Sequence, residues 1–276
     1  MSRETGGPVP VKTAPLARPR RGLGQNFLVD RNISAKIVAA LAVSPADTVI
    51  EIGPGRGALC PCGLAAAPRR YLCLELDRDL VRSLAKDPSG LIPVNIDALR
   101  FDWERAAGAL ILGNLPYNVA SPLIWDICAG GRFSRAVFMV QREVAGRIAA
   151  PAGGKVYGAL SAFVQAHATA ECLFTVGPNV FRPRPKVDSA VIRLTPRPDR
   201  PRAAEGRLLS RLLAVCFQQR RKQLQKILRP YWNDGLSAAL ASLGLNERSR
   251  PEEVGPEGFR LLLKNISIAD FPLTFA

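Results

Sequence analysis

Five consecutive residues, Asn114-Leu115-Pro116-Tyr117-Asn118, combine groups suited to one kind of chemistry. An Asn side-chain oxygen and a nearby backbone carbonyl can accept the two hydrogens of an aromatic amine. Pro116 leaves a strand-end carbonyl unpaired and fixes the turn. Tyr117 can stack on a purine face. The exocyclic amine of adenine is a poor nucleophile because its lone pair is delocalised into the ring. Holding both hydrogens pulls that lone pair out of the ring plane and aims it at an electrophilic carbon such as a sulfonium methyl. In-line displacement of this type depends on placement and desolvation more than on a strong base. An Asn-Pro turn beside a core tyrosine is also a common structural feature, so these residues alone leave both readings open. His167, the sole histidine, has no apparent nucleophile beside it, and Ser/His/Asp chemistry does not compete.

A second constellation is Glu51-Ile52-Gly53-Pro54-Gly55-Arg56-Gly57. Its glycines let the backbone turn sharply and approach a ligand. The spacing is G-x-G-x-G, not the G-x-G-x-x-G of a dinucleotide site, and no P-loop is present. Pro54 removes one backbone donor, which suits a ligand without a diphosphate. Glu75 ends the next apolar run, where an acidic group can accept both ribose hydroxyls. That feature alone also fits NAD. Asp97 follows a third run and can accept from an adenine amino group. The competing reading makes Glu51 and Glu75 surface-edge carboxylates. Phe181, within Phe181-Arg182-Pro183-Arg184-Pro185-Lys186, is the candidate for a second base platform flanked by phosphate contacts.

These residues need a scaffold that brings strand ends together. Apolar runs at Thr48–Ile52, Tyr71–Leu76, Leu91–Asn95, Ala109–Leu112 and Ala136–Val140 read as strands. Helical patterns intervene at Ala58–Ala67, Asp79–Leu84 and Leu123–Cys128, after a first helix Ile33–Leu41 capped by Asp30. Alternation of this kind predicts a parallel sheet covered on both faces. A helix from Glu143 to Ala149 follows, then one after Tyr157 that runs to about Ala170. Cys172–Val176 and Ala190–Leu194 read as an antiparallel pair at the sheet edge. Thr195–Pro201 reads as a linker. Four short helical patterns beyond it predict a small helical domain, 203–276, after a catalytic domain, 22–196, and a basic arm, 1–21.

The chain has 276 residues and a formal net charge of +15, which points to a polyanionic partner. No run of eighteen apolar residues is present, so a membrane span is not expected. Basic residues cluster at Arg18, Arg20 and Arg21, at Arg182, Arg184 and Lys186, and at Arg220, Arg221 and Lys222 with Lys226 and Arg229. If these converge they form a groove for a folded RNA. Six cysteines suit reduced thiols in a cytoplasmic protein. Cys60 and Cys62 form a C-x-C too sparse for a zinc site, and no metal is expected.

Taken together, several motifs resemble the ribosomal RNA adenine dimethyltransferases, and within them the bacterial small-subunit enzymes. They are Gly24-Gln25-Asn26-Phe27-Leu28, Glu51 to Gly55, Glu75-Leu76-Asp77, Asn114 to Tyr117, Gln141-x-Glu143-Val144, Tyr157-Gly158-x-Leu160-Ser161, Phe181 to Ser189 and Arg220-Arg221-Lys222. The resemblance implies an α/β, Rossmann-like S-adenosylmethionine-dependent methyltransferase fold with a small C-terminal helical domain. It implies dimethylation at N6 of two adjacent adenines in the 3′-terminal hairpin of 16S rRNA, within the immature 30S subunit. By matching motif, Asn26, Leu28 and Gly55 contact the cofactor, Gly53 approaches its methionine part, and Glu75 takes the ribose hydroxyls. Asp97 with Ala98 holds the cofactor adenine, and Asn114 with Leu115 and Pro116 lies between cofactor and substrate. Tyr117 and Phe181 would sandwich the target base. Arg20, Arg21, Arg182, Arg184, Lys186, Arg220, Arg221 and Lys222 would meet RNA. Arg220 to Lys222 and Tyr157-Gly158 speak against the large-subunit, macrolide-resistance relatives. Intact Asn114 to Tyr117 and Glu75 speak against binding-only relatives. A monomer is expected.

Overall fold

The computed structural model describes residues 25–266. The readings for Arg18, Arg20, Arg21 and the 1–21 arm lie outside those residues. The chain begins with β1 (Phe27–Leu28) and α1 (Arg31–Leu41), followed by β2 (Thr48–Ile52), α2 (Cys60–Ala65), β3 (Arg70–Glu75), α3 (Arg78–Leu84) and β4 (Ile92–Asn95). Next come β5 (Leu110–Asn114), α4 (Ala120–Gly130), β6 (Arg135–Gln141), α5 (Arg142–Ile148) and α6 (Ala159–His167). Three strands follow: β7 (Ala168–Val176), β8 (Phe181–Arg182) and β9 (Ser189–Pro196). The C-terminal part is helical, with α7 (Ala203–Gln218), α8 (Leu224–Ile227), α9 (Asp234–Ser242) and α10 (Pro256–Lys264).

Seven strands form one sheet in the order β4-β3-β2-β5-β6-β9-β7. The first five are parallel, while β9 runs antiparallel to both β6 and β7. Successive strand residues bury on opposite faces. Val49, Cys73, Leu110, Leu112, Val137 and Met139 join a core with α1 and α2. Ile50, Leu74, Ile111, Phe138 and Val140 join a core with α4 and α6. Coverage of both faces is why these strands read as continuous apolar runs. Asp30 caps α1 as expected, accepting from the amides of Asn32 and Ile33 at 2.8 and 3.0 Å.

Two boundaries differ from the sequence reading. α6 ends at His167, and Ala168 to Ala170 are strand, not helix. They pair with Leu194 to Pro196, so Thr195 and Pro196 extend β9 and do not belong to a linker. Alanine favours helix by only a few tenths of a kcal/mol over most residues. The ladder along β9 outweighs that preference.

The C-terminal helices share the sheet's second core: Leu209, Leu212, Leu213, Phe259 and Leu262 are buried with Phe163, Phe138 and Ile192. The Tyr157 hydroxyl donates to the Val254 carbonyl at 3.0 Å. Arg260 pairs with Glu205 at 3.1 Å and Asp199 at 3.2 Å. Phe259 on α10 is fully buried. Phe259→Ala should cost about 3–5 kcal/mol through lost burial and the cavity left behind. Because the core is continuous, urea unfolding followed by circular dichroism should show one transition at lower midpoint. A separate early transition of the helices would contradict the shared core.

Candidate active site

The carboxyl ends of β2, β3, β4 and β5 open into one cavity, of about 1240 Å³ with its mouth included. Ligands of open α/β sheets bind at this edge. Its walls include Asn26, Leu28, Gly53, Gly55, Glu75, Asp97, Ala98, Asn114, Leu115, Pro116 and Tyr117. The sheet thus brings the glycine turn and the Asn-Pro-Tyr turn to one place, from neighbouring strands β2 and β5.

Several wall residues are held by definite partners. Gly53 and Gly55 both have φ of +59°, which favours glycine. A Cβ on Gly55 would stand 3.0 Å from the Phe27 ring, so the turn also needs its bareness for that close approach. Glu75 accepts from the Gly55 amide at 3.0 Å and the Asp77 amide at 2.9 Å. Burial pushes its carboxyl up, and these backbone bonds oppose the shift. Asp97 accepts from the Leu99 amide at 3.0 Å. Leu76 and Leu99, 50% and 38% exposed, add apolar surface to the cavity wall.

At the other end, Asn114 Nδ2 donates to the Asn26 carbonyl at 3.1 Å. Its Oδ1 is therefore left as an acceptor. The Pro116 carbonyl takes the Val119 and Ala120 amides, whereas no described backbone amide donates to the Leu115 carbonyl. These are two acceptors for one amine. Tyr117 is half-buried and its hydroxyl shares a 2.8 Å hydrogen bond with Ser189 Oγ. Burial raises its phenol, and the Ser189 bond partly offsets that. The cradle, the paired acids at strand ends and the apolar surface fit an adenosyl cofactor.

Several expectations are corrected. Phe181 does not face the cavity: it is fully buried, and its strand β8 pairs with β1 through Leu28. Its ring packs in the α1-side core and offers no free face. Arg220 is an intramolecular tie. It meets Glu252 at 2.6 Å and the Lys155 carbonyl at 2.7 Å, so its fork is spent inside the protein. Arg182 folds back on the Asn179 and Phe181 carbonyls, while its side chain, like those of Arg184, Lys186, Arg221 and Lys222, is exposed. Glu51 and Glu75 are not surface-edge carboxylates; they are 1% and 6% exposed.

Two features escaped the sequence reading. Ser189 anchors the Tyr117 ring from β9, and only its place at the end of the Phe181 to Ser189 motif hinted at it. Glu51 accepts from Tyr71 at 2.6 Å and from Cys60 at 3.1 Å. Cys60 has its near thiol in Cys73, not Cys62: Glu51, Cys60 and Cys73 bring their side-chain ligand atoms within 4.8 Å of one another. A charged residue inside an apolar run was the available signal.

Burial pushes the Glu51 carboxyl up to about 7, against the lowering bonds from Tyr71 and Cys60. A carboxyl raised in the folded state stabilises the fold at low pH and loses that contribution as pH rises. Over the span from its ordinary 4.5 to about 7, Glu51 should remove on the order of 3 kcal/mol of stability. Glu51→Gln should lack that fall. Urea-unfolding free energies taken across this pH range check it, and parallel curves for the two proteins would refute it.

Comparison with known proteins agrees with this geometry. Residues 17–266 match the family model described as Ribosomal RNA adenine dimethylase. A Nitratidesulfovibrio vulgaris protein called Ribosomal RNA small subunit methyltransferase A is 50% identical over 261 residues, covering 91% of this chain and 98% of its own. A protein of the same description from Lawsonia intracellularis is 39% identical over 263 residues, covering 92% and 97%. Among solved structures, the 23S rRNA methyltransferase ErmE superposes with a TM-score of 0.69 at 27% identity, over 87% of this chain and 99% of its own. A dimethyladenosine transferase from Plasmodium falciparum gives 0.68 at 25% identity, over 86% and 96%. The fold is thus the Rossmann-like methyltransferase fold with a helical C-terminal extension. The chain belongs to the ribosomal RNA adenine dimethylase family, enzymes that use S-adenosylmethionine to methylate adenine in ribosomal RNA.

Proposed function

We propose that this protein dimethylates N6 of two adjacent adenines in the 3′-terminal hairpin of 16S rRNA, acting in the cytoplasm, as a monomer, on the immature 30S subunit. The observation that carries the reading is the Asn114 amide. Its Nδ2 is committed to Asn26, so Oδ1 is the acceptor presented beside Tyr117, in the cavity that also holds Glu75 and Gly53.

Bound S-adenosylmethionine supplies an electrophilic methyl group. Glu75 takes the ribose hydroxyls on its remaining lone pairs. Asp97 and Ala98 sit where the cofactor adenine belongs, and Leu28 closes the floor. The flipped target base stacks on Tyr117, which Ser189 keeps from turning. Asn114 Oδ1 and the Leu115 carbonyl hold the two amine hydrogens, so the nitrogen lone pair points away from the ring. Neither oxygen is a base, so the proton that nitrogen would lose as the methyl leaves sulfur passes to water, and at the second transfer the one remaining hydrogen would be held by one of the two oxygens.

The small-subunit substrate is supported by the relatives named for it, at up to 50% identity in those compared. A 23S substrate has support from the likeness to ErmE, at 27%. The exposed cations Lys155, Arg184, Lys186, Arg221 and Lys222 supply a basic surface for either RNA.

Labelled S-adenosylmethionine and the purified protein should methylate immature 30S particles lacking the modification. Label confined to 50S precursors would overturn the small-subunit reading. Asn114→Ala should lower kcat by roughly 10²-fold, the scale of a misplaced reactant, with a much smaller change in cofactor affinity. Equal losses in both would make Asn114 a cofactor ligand only. RNA affinity should fall about 10³- to 10⁵-fold between 50 and 200 mM salt if six to ten phosphates are neutralised. A filter-binding titration that is flat in salt would exclude the basic surface as the docking face.

A further inference from the structure

Gln141 ends β6, opens the Gln141-x-Glu143-Val144 motif and is not among the walls of the cofactor cavity. Two strand registers fix its place. In the parallel pair of β5 and β6, Asn114 stands opposite Met139. Gln141 lies two residues on, so it shares the face of Met139 and Asn114, one step nearer the edge of the sheet. In the antiparallel pair of β6 and β9, Gln141 stands opposite Ser189. Directly opposed residues project side by side from one face. Ser189 is the residue whose hydroxyl meets that of Tyr117 at 2.8 Å. The Gln141 side chain therefore stands beside the anchor of the base platform, on the face of the sheet that carries Asn114.

A second groove opens there, lined by Gln141, Arg142, Glu143, Lys186, Val187 and Asp188. Its frame is tied across. The Arg142 amide donates to the Asp188 carbonyl at 3.0 Å, and the Arg142 guanidinium meets the Asp188 carboxylate at 3.2 Å. Glu143 is paired with Arg147. Gln141 is used differently. It is the N-cap of α5, yet its side chain makes no capping bond, and Ser or Asp would cap better. It is half-buried and has no hydrogen-bond partner among the described residues. The same lining holds an exposed apolar side chain, Val187. A hydrated cap needs neither that apolar surface nor a seat beside Ser189; a planar ligand with a polar edge uses both.

An amide offers a donor and an acceptor side by side, matched to the N6 and N7 edge of adenine. Unstacked bases of single-stranded RNA present that edge. Enzymes that extrude a base also read the nucleotides flanking it. Neighbouring nucleotides share one phosphate, so the seat of the second base must adjoin that of the first. The groove adjoins the target's seat through Ser189, and the exposed Lys186 in its lining gives the shared phosphate a countercharge.

We propose that this groove seats the base next to the target adenine and that the Gln141 amide reads that base as adenine. This rests on the small-subunit reading, in which the target's neighbour is itself an adenine, and adds to it the residue that recognises the neighbour.

The full chain and reconstituted immature 30S particles test it. One set of 16S rRNAs keeps the 5′ adenine of the pair and another keeps the 3′ adenine, each with adenine or uracil as the neighbour. Methylation of the kept adenine is followed by mass spectrometry of nuclease digests. In at least one set, wild-type protein should show a kcat/KM roughly ten- to a hundredfold higher with the adenine neighbour, the scale of a two-point amide–base contact. Gln141→Met, which keeps the length and loses the amide, should erase most of that preference. Isothermal titration should show its affinity for S-adenosylmethionine unmoved. Wild-type protein indifferent to the neighbour in both sets would overturn the proposal. So would a Gln141→Met protein that keeps the preference, or one that loses activity equally with both neighbours. Label found on 50S precursors alone would sink the small-subunit reading, and the proposal with it.

Discussion

A backbone carbonyl can only accept a hydrogen bond, and the Asn26 carbonyl meets the Asn114 amide. This contact decides which end of that amide faces the cavity. The rest of the site is arranged to keep Asn26 there. Its segment continues into β1, which pairs with β8 and is extended by a 2.9 Å bond from the Val29 amide to the Val180 carbonyl. Phe181, buried beneath that pair, is the anchor of the strap. The Pro-rich loop thus acts on the site through the N-terminal segment and not by stacking a base on Phe181. Its proline-stiffened backbone serves the same end, since a strap that wandered would release Asn114.

The glycine turn shows a related economy of space. Phe27 and Gly55 approach so closely that a side chain on Gly55 would displace the Phe27 ring. Below the turn, Tyr71 donates to Glu51 while its ring lies where a Cβ on Gly63 would fall, 2.4 Å away. Burying a carboxyl is costly unless donors meet it, and Tyr71 and Cys60 are those donors. Burial pushes the Tyr71 phenol well up, and the hydrogen bond with Cys73, followed by burial, does the same for the Cys60 thiol, so both keep the hydrogens that Glu51 accepts. The acid under the turn and the acid at Glu75 therefore differ in environment. Glu75 is held by backbone amides at the cavity wall, while Glu51 is held by side chains from α2 and β3.

Much of this was legible in the sequence because it follows from periodicity and strand ends. Continuous apolar runs gave the parallel strands, and the residues just past them, Glu75, Asp97 and Asn114, gave the cavity. What could not be read were contacts between distant segments. Phe181 in a basic, Pro-rich loop looks like an exposed platform, and only pairing of β8 with β1 shows its ring inside. Cys60 looks tied to Cys62 by proximity, yet a strand brings Cys73 beneath it. The end of α6 was misplaced because alanine is neutral evidence: Ala168 and Ala170 fit a helix, and the register with β9 makes them strand.

The charge excess shows the same distinction between type and position. A net +15 implies a polyanion, but it does not say which cations meet it. Arg193, Arg197, Arg220 and Arg260 are engaged by Glu171, Asp199, Glu252 and Glu205. Such partly exposed pairs add little stability singly. Their value here is orientation: Arg220 and Arg260 each join segments more than thirty residues apart. Arg56 belongs to the cavity. On α5 Arg142 and Arg147 are likewise paired, with Asp188 and Glu143, so the exposed cations that can follow a phosphate chain include Arg184 and Lys186 on the Pro-rich loop and Arg221 and Lys222 in the segment after α7. α7 shares its core with the sheet, so that last segment is tied to the strands that carry Asn114. A rigid connection of this kind lets binding energy from RNA backbone far from the target base contribute to holding its amine in line.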